Sequence, residues 1–235
     1  MLKLIIGNRT YSSWSLRGWL ACKISALDFE TVVVPMDTPE WDSGASKALM
    51  PAGKVPVLWD GADIAVWDSL AIIDWLADKV RNARVSRGHF WPQDNFAARA
   101  LARSITAEMH AGFQALRQGC PMNLASNFPD FEPTPEILAD AARIDRLWTE
   151  ARTRFGSTAD VAHEGPFLFG SFGAADAMYA PVVTRFRTYG LPMGDVSRAY
   201  VEAVAAHPWM VEWTADAKAE DYPFARYLVP GGVPA

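Results

Sequence analysis

Apolar residues follow two different rhythms along this chain, and the change falls near residue 80. Before it, short strand-like runs alternate with helical spacing. Leu2 to Ile6 is a compact apolar run that reads as a buried strand. From Ser15 onward, Leu16, Trp19, Leu20, Ile24 and Leu27 recur on one face of a helix. Phe29 to Met36 holds the β-branched run Val32-Val33-Val34, ended by Pro35, and predicts a second strand. The polar stretch from Asp37 to Met50, with Pro39, Trp41 and Gly44, has room for a short helix. Val57-Leu58-Trp59 and Ile64-Ala65-Val66 flank Asp60-Gly61, a hairpin signal whose Asp-Gly pair suits a tight turn. Asp68-Ser69 then precedes Leu70, Ile73, Leu76, Ala77 and Val80 at helical spacing. The predicted order over residues 1–80 is β-α-β-(α)-β-β-α.

Residues 81–95 lose this periodicity. They carry three arginines, Gly88 and Pro92, the composition of an exposed linker. From residue 96 to 235 the pattern is helical. Leu101, Ile105, Met109, Phe113 and Leu116 predict one long helix. Ile137, Ala141, Ile144, Trp148, Ala151 and Phe155 predict a second, entered through Thr134 as N-cap and Pro135 at the first helical position. Further helices are expected over Gly173–Thr188, from Asp195, and from His207-Pro208. The fold class is therefore a small α/β unit followed by an all-helical one.

Composition narrows the function. Half of the 235 residues are hydrophobic and the net charge is −5, with acids and bases interspersed. No basic cluster offers a footprint for nucleic acid or an anionic membrane, so neither is an expected partner. No apolar stretch approaches the roughly twenty residues of a membrane span. Cys22 and Cys120 lie far apart in no metal or redox spacing, which reads as two reduced thiols in a cytoplasmic protein. The histidines (His89, His110, His163, His207) show no metal-ligand spacing, so no metal site is expected.

Three turns of the first unit carry chemistry. A β-α-β…β-β-α order suits a thioredoxin-like sheet, whose redox members place Cys-x-x-Cys between the first strand and first helix. Here that turn reads Tyr11-Ser12-Ser13-Trp14-Ser15. Hydroxyls cannot attack a disulfide, which argues against a disulfide or dehydroascorbate reductase. The serines are also good helix caps, and both readings stand at this point. The second turn is Gly53-Lys54-Val55-Pro56, just ahead of a strand. A cis Val55-Pro56 bond would offer Val55's backbone to an extended peptide, while a trans bond would be an ordinary strand start. The third is Asp68-Ser69, where a hydroxyl and free helix N–H groups suit a carboxylate and Asp68 suits an ammonium, or where Asp68 is only a cap.

Taken in order, Ser-Ser-x-Ser-x-Arg, Gly-Lys-Val-Pro and Asp-Ser, with the helical second half, resemble the glutathione transferase family over nearly the whole chain. The stretch Ser12–Arg17 looks most like its serine-type zeta and bacterial members. Trp14 stands where the zeta class has cysteine, which counts against zeta-type isomerase chemistry. The resemblance implies glutathione as co-substrate, a homodimer and a role in detoxification. It also implies a hydrogen bond from Ser12, or from its neighbour Ser13, to the glutathione sulfur. A thiol of pKa ~8.5 is about 3% ionised at pH 7, and lowering it two units makes it roughly three-quarters ionised. By the same resemblance Val55 pairs with the cysteinyl backbone beside a cis Pro56. Ser69 and Asp68 hold the γ-glutamyl carboxylate and ammonium, and Lys54 neighbours the glycyl carboxylate. Asp68 replaces the family's usual glutamate, and Gly173 the usual Ser or Thr cap ahead of Asp176.

The second substrate's pocket is expected between the two units, with Met109, His110, Phe113 and Arg117 as candidate lining. Met109 and Phe113 equally fit a core stripe. The leading expectation is addition of the glutathione thiolate to a small hydrophobic electrophile. Basic cleft residues such as Arg17 or Arg117 would instead favour a glutathione-dependent isomerase of the maleylacetoacetate type, acting on an unsaturated diacid. A non-catalytic binding or scaffold module of the same fold is the remaining alternative.

Overall fold

A computed structural model of the chain describes residues 1–82, 89–156, 165–221 and 230–235. The linker's Arg84, Arg87 and Gly88, and His163, lie outside the described residues.

The first unit runs β1 (Leu2–Ile6), α1 (Ser13–Ser25), β2 (Phe29–Val33), α2 (Gly44–Leu49), β3 (Val57–Asp60), β4 (Ile64–Trp67) and α3 (Ser69–Asn82). The sheet order is β2-β1-β3-β4, with β1 parallel to β2 and the other pairs antiparallel. This is the thioredoxin-like arrangement expected from the strand and helix rhythm. In β1 the side chains Leu2, Leu4 and Ile6 face α1 and α3, while Ile5 joins Val34, Met50 and Val57 on the other side. The β3–β4 connection is a three-residue loop with Gly61 at φ 68°, because Asp60 still belongs to β3 and ion-pairs with Lys79. A tight two-residue Asp-Gly turn is not formed.

The second unit contains α4 (Phe96–Ala111), α5 (Gln114–Gly119), β5 (Ser126–Asn127), α6 (Pro135–Phe155), α7 (Ala174–Thr188), α8 (Asp195–Ala205), α9 (Pro208–Ala219) and β6 (Val233–Pro234). The one long helix expected across Leu101–Leu116 is two. Gly112 is extended and Phe113 adopts a left-handed conformation at φ 58°, which ends α4 and re-aims α5. Asp140 of α6 accepts the Leu116 N–H at 3.0 Å, supplying the side-chain cap that Phe113 lacks.

Helix α7 is the core of this unit, with nearly every residue buried. Its entry is fixed by Asp176, which accepts the N–H of Gly173 at 2.9 Å and of Leu168 at 3.1 Å. A Cβ on residue 173 would come 3.0 Å from the Phe90 carbonyl oxygen, so the close approach of that strand of chain explains glycine at the cap. Helices α1 and α7 pack directly together, and Gly18 of α1 lies against the Pro56 ring, where a Cβ would sit 2.9 Å from Pro56 Cβ and Cγ.

Two expectations follow. Asp176→Asn should lower stability by about 1–3 kcal/mol, because an amide offers one acceptor oxygen to two N–H donors. Burial raises the Asp176 pKa to about 6 in the fold. A raised carboxylate pKa contributes stability that is complete below the unfolded value and is lost as pH rises through the folded one. The penalty of the Asn variant should therefore be greater at pH 4.5 than at pH 8, as read from urea unfolding at the two pH values. Separately, Gly18→Ala should overpack the α1–Pro56 contact and cost about 1–3 kcal/mol in the same assay.

Candidate functional site

The turn after β1 is built by its own polar residues. Ser12 and Tyr11 donate backbone N–H groups to the Asn8 carbonyl, and Asn8 Oδ1 accepts from Met36 N–H at 2.8 Å, tying the turn to the end of the second strand. Ser12 is the N-cap of α1: its Oγ accepts the Ser15 N–H at 3.2 Å and lies 2.7 Å from Ser15 Oγ, so the two hydroxyls share a hydrogen bond. Ser15 Oγ in turn accepts the Gly7 N–H at 3.0 Å. Ser13, the first helical residue, is half-buried, and its Oγ accepts from Arg185 Nη2 at 3.0 Å.

Between this turn and the helical unit lies a cavity of about 410 Å³. Ser12, Ser13, Lys54 and Val55 line it from the first unit, together with Tyr11, Trp14, Arg17, Met36 and Trp41. The far wall is Gln114, Arg117, Gln118, Met122 and Arg185. Among the described residues four cations and no carboxylate line it. Trp14 is flanked by two guanidiniums, Arg17 at 4.4 Å and Arg117 at 5.0 Å from its ring centroid. Arg17 is buried, donates through Nε to the Met178 carbonyl at 2.9 Å, and has no hydrogen-bond partner at Nη1 among the described residues. Burial, then the charges of Arg185 and Arg117, press its pKa well below the usual guanidinium range. Burial lowers Arg117 as well.

The Val55–Pro56 peptide is cis. Asp68, at φ 73°, caps α3 by accepting the Leu70 N–H at 2.8 Å, and its other oxygen lies 3.5 Å from His110 Nε2. Ser69 is buried, and its hydroxyl has no hydrogen-bond partner among the described residues.

Of the residues singled out in the sequence, the cavity unites Ser12, Ser13, Lys54, Val55 and Arg117. Pro56, Asp68 and Ser69 stand outside its lining, with Asp68 linked to it through His110, whose ring meets Trp14 edge-on at 5.4 Å. Met109 and Phe113 do not line it. Both are buried in the main core, because the break at Gly112 turns α5, not the end of α4, toward the cleft. Arg185 and Gln118 were not legible as site residues. Arg185 alone left a signal, a cation within the apolar run Val182–Phe186 that has to find partners once buried.

Both thiols are unpaired and buried, and burial raises Cys120 to about 11, so neither is poised as a nucleophile. Among the described residues no group of His, Cys, Asp and Glu side chains could hold a metal ion, and no helix is long and apolar enough to cross a membrane.

The glutathione S-transferase N-terminal domain model matches residues 11–79, and the C-terminal domain model matches residues 100–216. No curated protein sequence matches the chain. Among solved structures it is similar to a glutathione transferase homolog from Burkholderia with bound glutathione (TM-score 0.66, 19% identity, 93% of this chain and 99% of the other). It is also similar to glutathione transferase F2 from Populus trichocarpa (0.65, 18%, 94% and 100%). A third is the theta class glutathione S-transferase from Xanthomonas axonopodis pv. citri with glutathione bound (0.60, 21%, 91% and 96%). These likenesses share the architecture described above, and with both domain models matched in chain order the chain belongs to the glutathione S-transferase family of enzymes.

Proposed function

We propose that the chain binds glutathione in the groove formed by its first three turns and transfers or adds the thiolate to a small electrophile held against α5 and α7. The observation that carries this reading is the shared cavity: the paired hydroxyls of Ser12 and Ser13 open onto the same space as Lys54 and Val55. In it, one hydroxyl steadies the thiolate, Val55 pairs with the cysteinyl backbone, and Lys54 faces the glycyl carboxylate. The enclosed, unpartnered Ser69 hydroxyl and the N-terminus of α3 receive the γ-glutamyl carboxylate, with Asp68 near its ammonium. Residues 1–80 thus serve as the peptide-binding domain and 96–235 as the domain carrying the second pocket, with 81–95 between them. A cytoplasmic homodimer engaged in detoxification is the setting that the family resemblance suggests.

A small hydrophobic electrophile is the first choice of second substrate, and Trp14, Met36, Trp41 and Met122 supply apolar surface for it. A specific observation favours the isomerase of unsaturated diacids as a second reading: Arg17 and Arg117 both line the cavity, and no carboxylate among the described residues lines it with them.

The test is retention on immobilised glutathione, turnover of a chloronitrobenzene, and isomerisation of a cis-unsaturated diacid. Binding with conjugation supports the first reading, binding with isomerisation the second, and absence of binding rejects both. Ser69→Ala should raise the KM for glutathione by roughly 10-fold or more, the worth of a hydrogen bond to a charged group, with a much smaller change in kcat.

A further inference from the structure

Residues 7–12 join β1 to α1, and the strand ladder does not hold them, since β1 ends at Ile6. Polar groups in such a connection need partners of their own. Gly7, Asn8, Tyr11 and Ser12 find theirs inside the first unit, through Ser15 Oγ, the Met36 N–H and the Asn8 carbonyl. Arg9 and Thr10, immediately ahead of the residues that line the cavity, find theirs in the second unit.

The partner is the C-terminal end of α9. Glu220, the C-cap of that helix, takes Arg9 at two points: Oε2 accepts the Arg9 backbone N–H at 2.7 Å and Oε1 accepts Nη1 at 2.8 Å. The Arg9 carbonyl accepts from Trp213 Nε1 at 3.2 Å, and the Thr10 hydroxyl donates to the Ala217 carbonyl at 3.2 Å. An ordinary ion pair ties two side chains, which can swing without moving the chain. Glu220 also ties the peptide N–H of residue 9, and so constrains where the next residues go. Its side chain is only 7% exposed and that of Arg9 15%, so the pair is enclosed and its bonds are charge-assisted. Asp216, one turn earlier, adds a longer contact at 3.5 Å to Arg9 Nε.

We infer that Glu220 is a positioning residue of the reaction: by holding the Arg9 main chain it sets where the Ser12–Ser13 turn stands in the cavity. Glu220 does not itself line that cavity and acts through residues 9 and 10. On the glutathione reading above, on which this inference rests, the peptide is anchored by Lys54, Val55 and Ser69, which α9 does not hold. A displaced turn therefore leaves the peptide bound and its sulfur less well stabilised.

The experiment titrates the thiolate ultraviolet absorbance of glutathione bound to the whole protein, with glutathione affinity and melting temperature measured alongside. Glu220→Ala should raise the bound thiol's pKa by about one unit, a roughly tenfold loss of thiolate at low pH that vanishes at high pH, with affinity changed by no more than about twofold. Arg9→Lys removes the guanidinium fork but keeps the backbone N–H on Glu220, and should shift the pKa less. Should Glu220→Ala fold poorly, Glu220→Gln replaces it: the amide keeps one acceptor oxygen for two donors, and the shift should be smaller and in the same direction. Glu212→Gln is the control, because it breaks the other α9 ion pair, with Lys23 of α1, and should leave the pKa unmoved whatever it does to the melting temperature. Glu220 variants that melt earlier with an unshifted thiol pKa overturn the inference while leaving the glutathione reading intact. A Glu212→Gln shift as large as that of Glu220→Ala overturns it too, since any loosening of α9 would then suffice. A wild-type protein that binds no glutathione overturns both.

Discussion

Helix α1 is buried on almost every side, and the site exists because of it. The periodicity of Leu16, Trp19, Leu20 and Ile24 describes a helix with one apolar face, yet ten of its thirteen residues are buried. One side lies on the sheet and α3, the other on α7. A helix held from both sides has to satisfy its polar residues internally. Ser15 does so with Gly7 and Ser12, Ser25 with the Cys22 carbonyl, and Arg17 with the Met178 carbonyl of α7. The N-terminus of α1, where the serines sit, is therefore positioned by both halves of the molecule at once.

The same packing creates the electrostatics of the cavity. Arg17 is desolvated because α7 covers it, and Arg117 and Arg185 add positive charge within the same small volume. Such a cluster costs free energy, offset by the Met178, Cys120 and Pro181 carbonyls and by the face of Trp14. What remains is a preorganised field that favours an anion without any rearrangement when one arrives. Fixed donors in a partly dry cleft are worth more to a developing thiolate than the same donors in water.

The fold and the three turns were legible because their signals are local. The β-branched run at Val32–Val34, the cap serines, Pro56 ahead of a strand and Thr134-Pro135 at a helix start all act through the backbone of one or two turns. Local rules failed where tertiary packing chose between states of similar local energy. Met109 and Phe113 lie on the stripe that a continuous helix would show, and nothing in their spacing reveals that Gly112 and Phe113 leave the helix. Asp60-Gly61 has the composition of a two-residue turn, but Asp60 pairs with Leu2 and Ile64 as the last residue of β3. Arg185 is 172 residues from Ser13, a separation at which no motif can operate.

This division between local and distant determinants also separates the two walls of the cavity. The side of the cavity within residues 7–69 is assembled from strand–helix and loop–strand junctions whose caps are local, such as Ser12 on Ser15 and Asp68 on Leu70. The opposite wall is carried by α5, a six-residue helix whose direction depends on the break at residues 112–113 and on the Asp140 cap from α6. Gln114 and Gln118 can therefore change without disturbing any hydrogen bond of the serine turn seen among the described residues. Arg185 is different, because it belongs to the rigid core helix and reaches across to Ser13. It ties the far wall to the serine turn, so one side of the cavity is fixed by the buried framework while the other rests on a short helix at its rim.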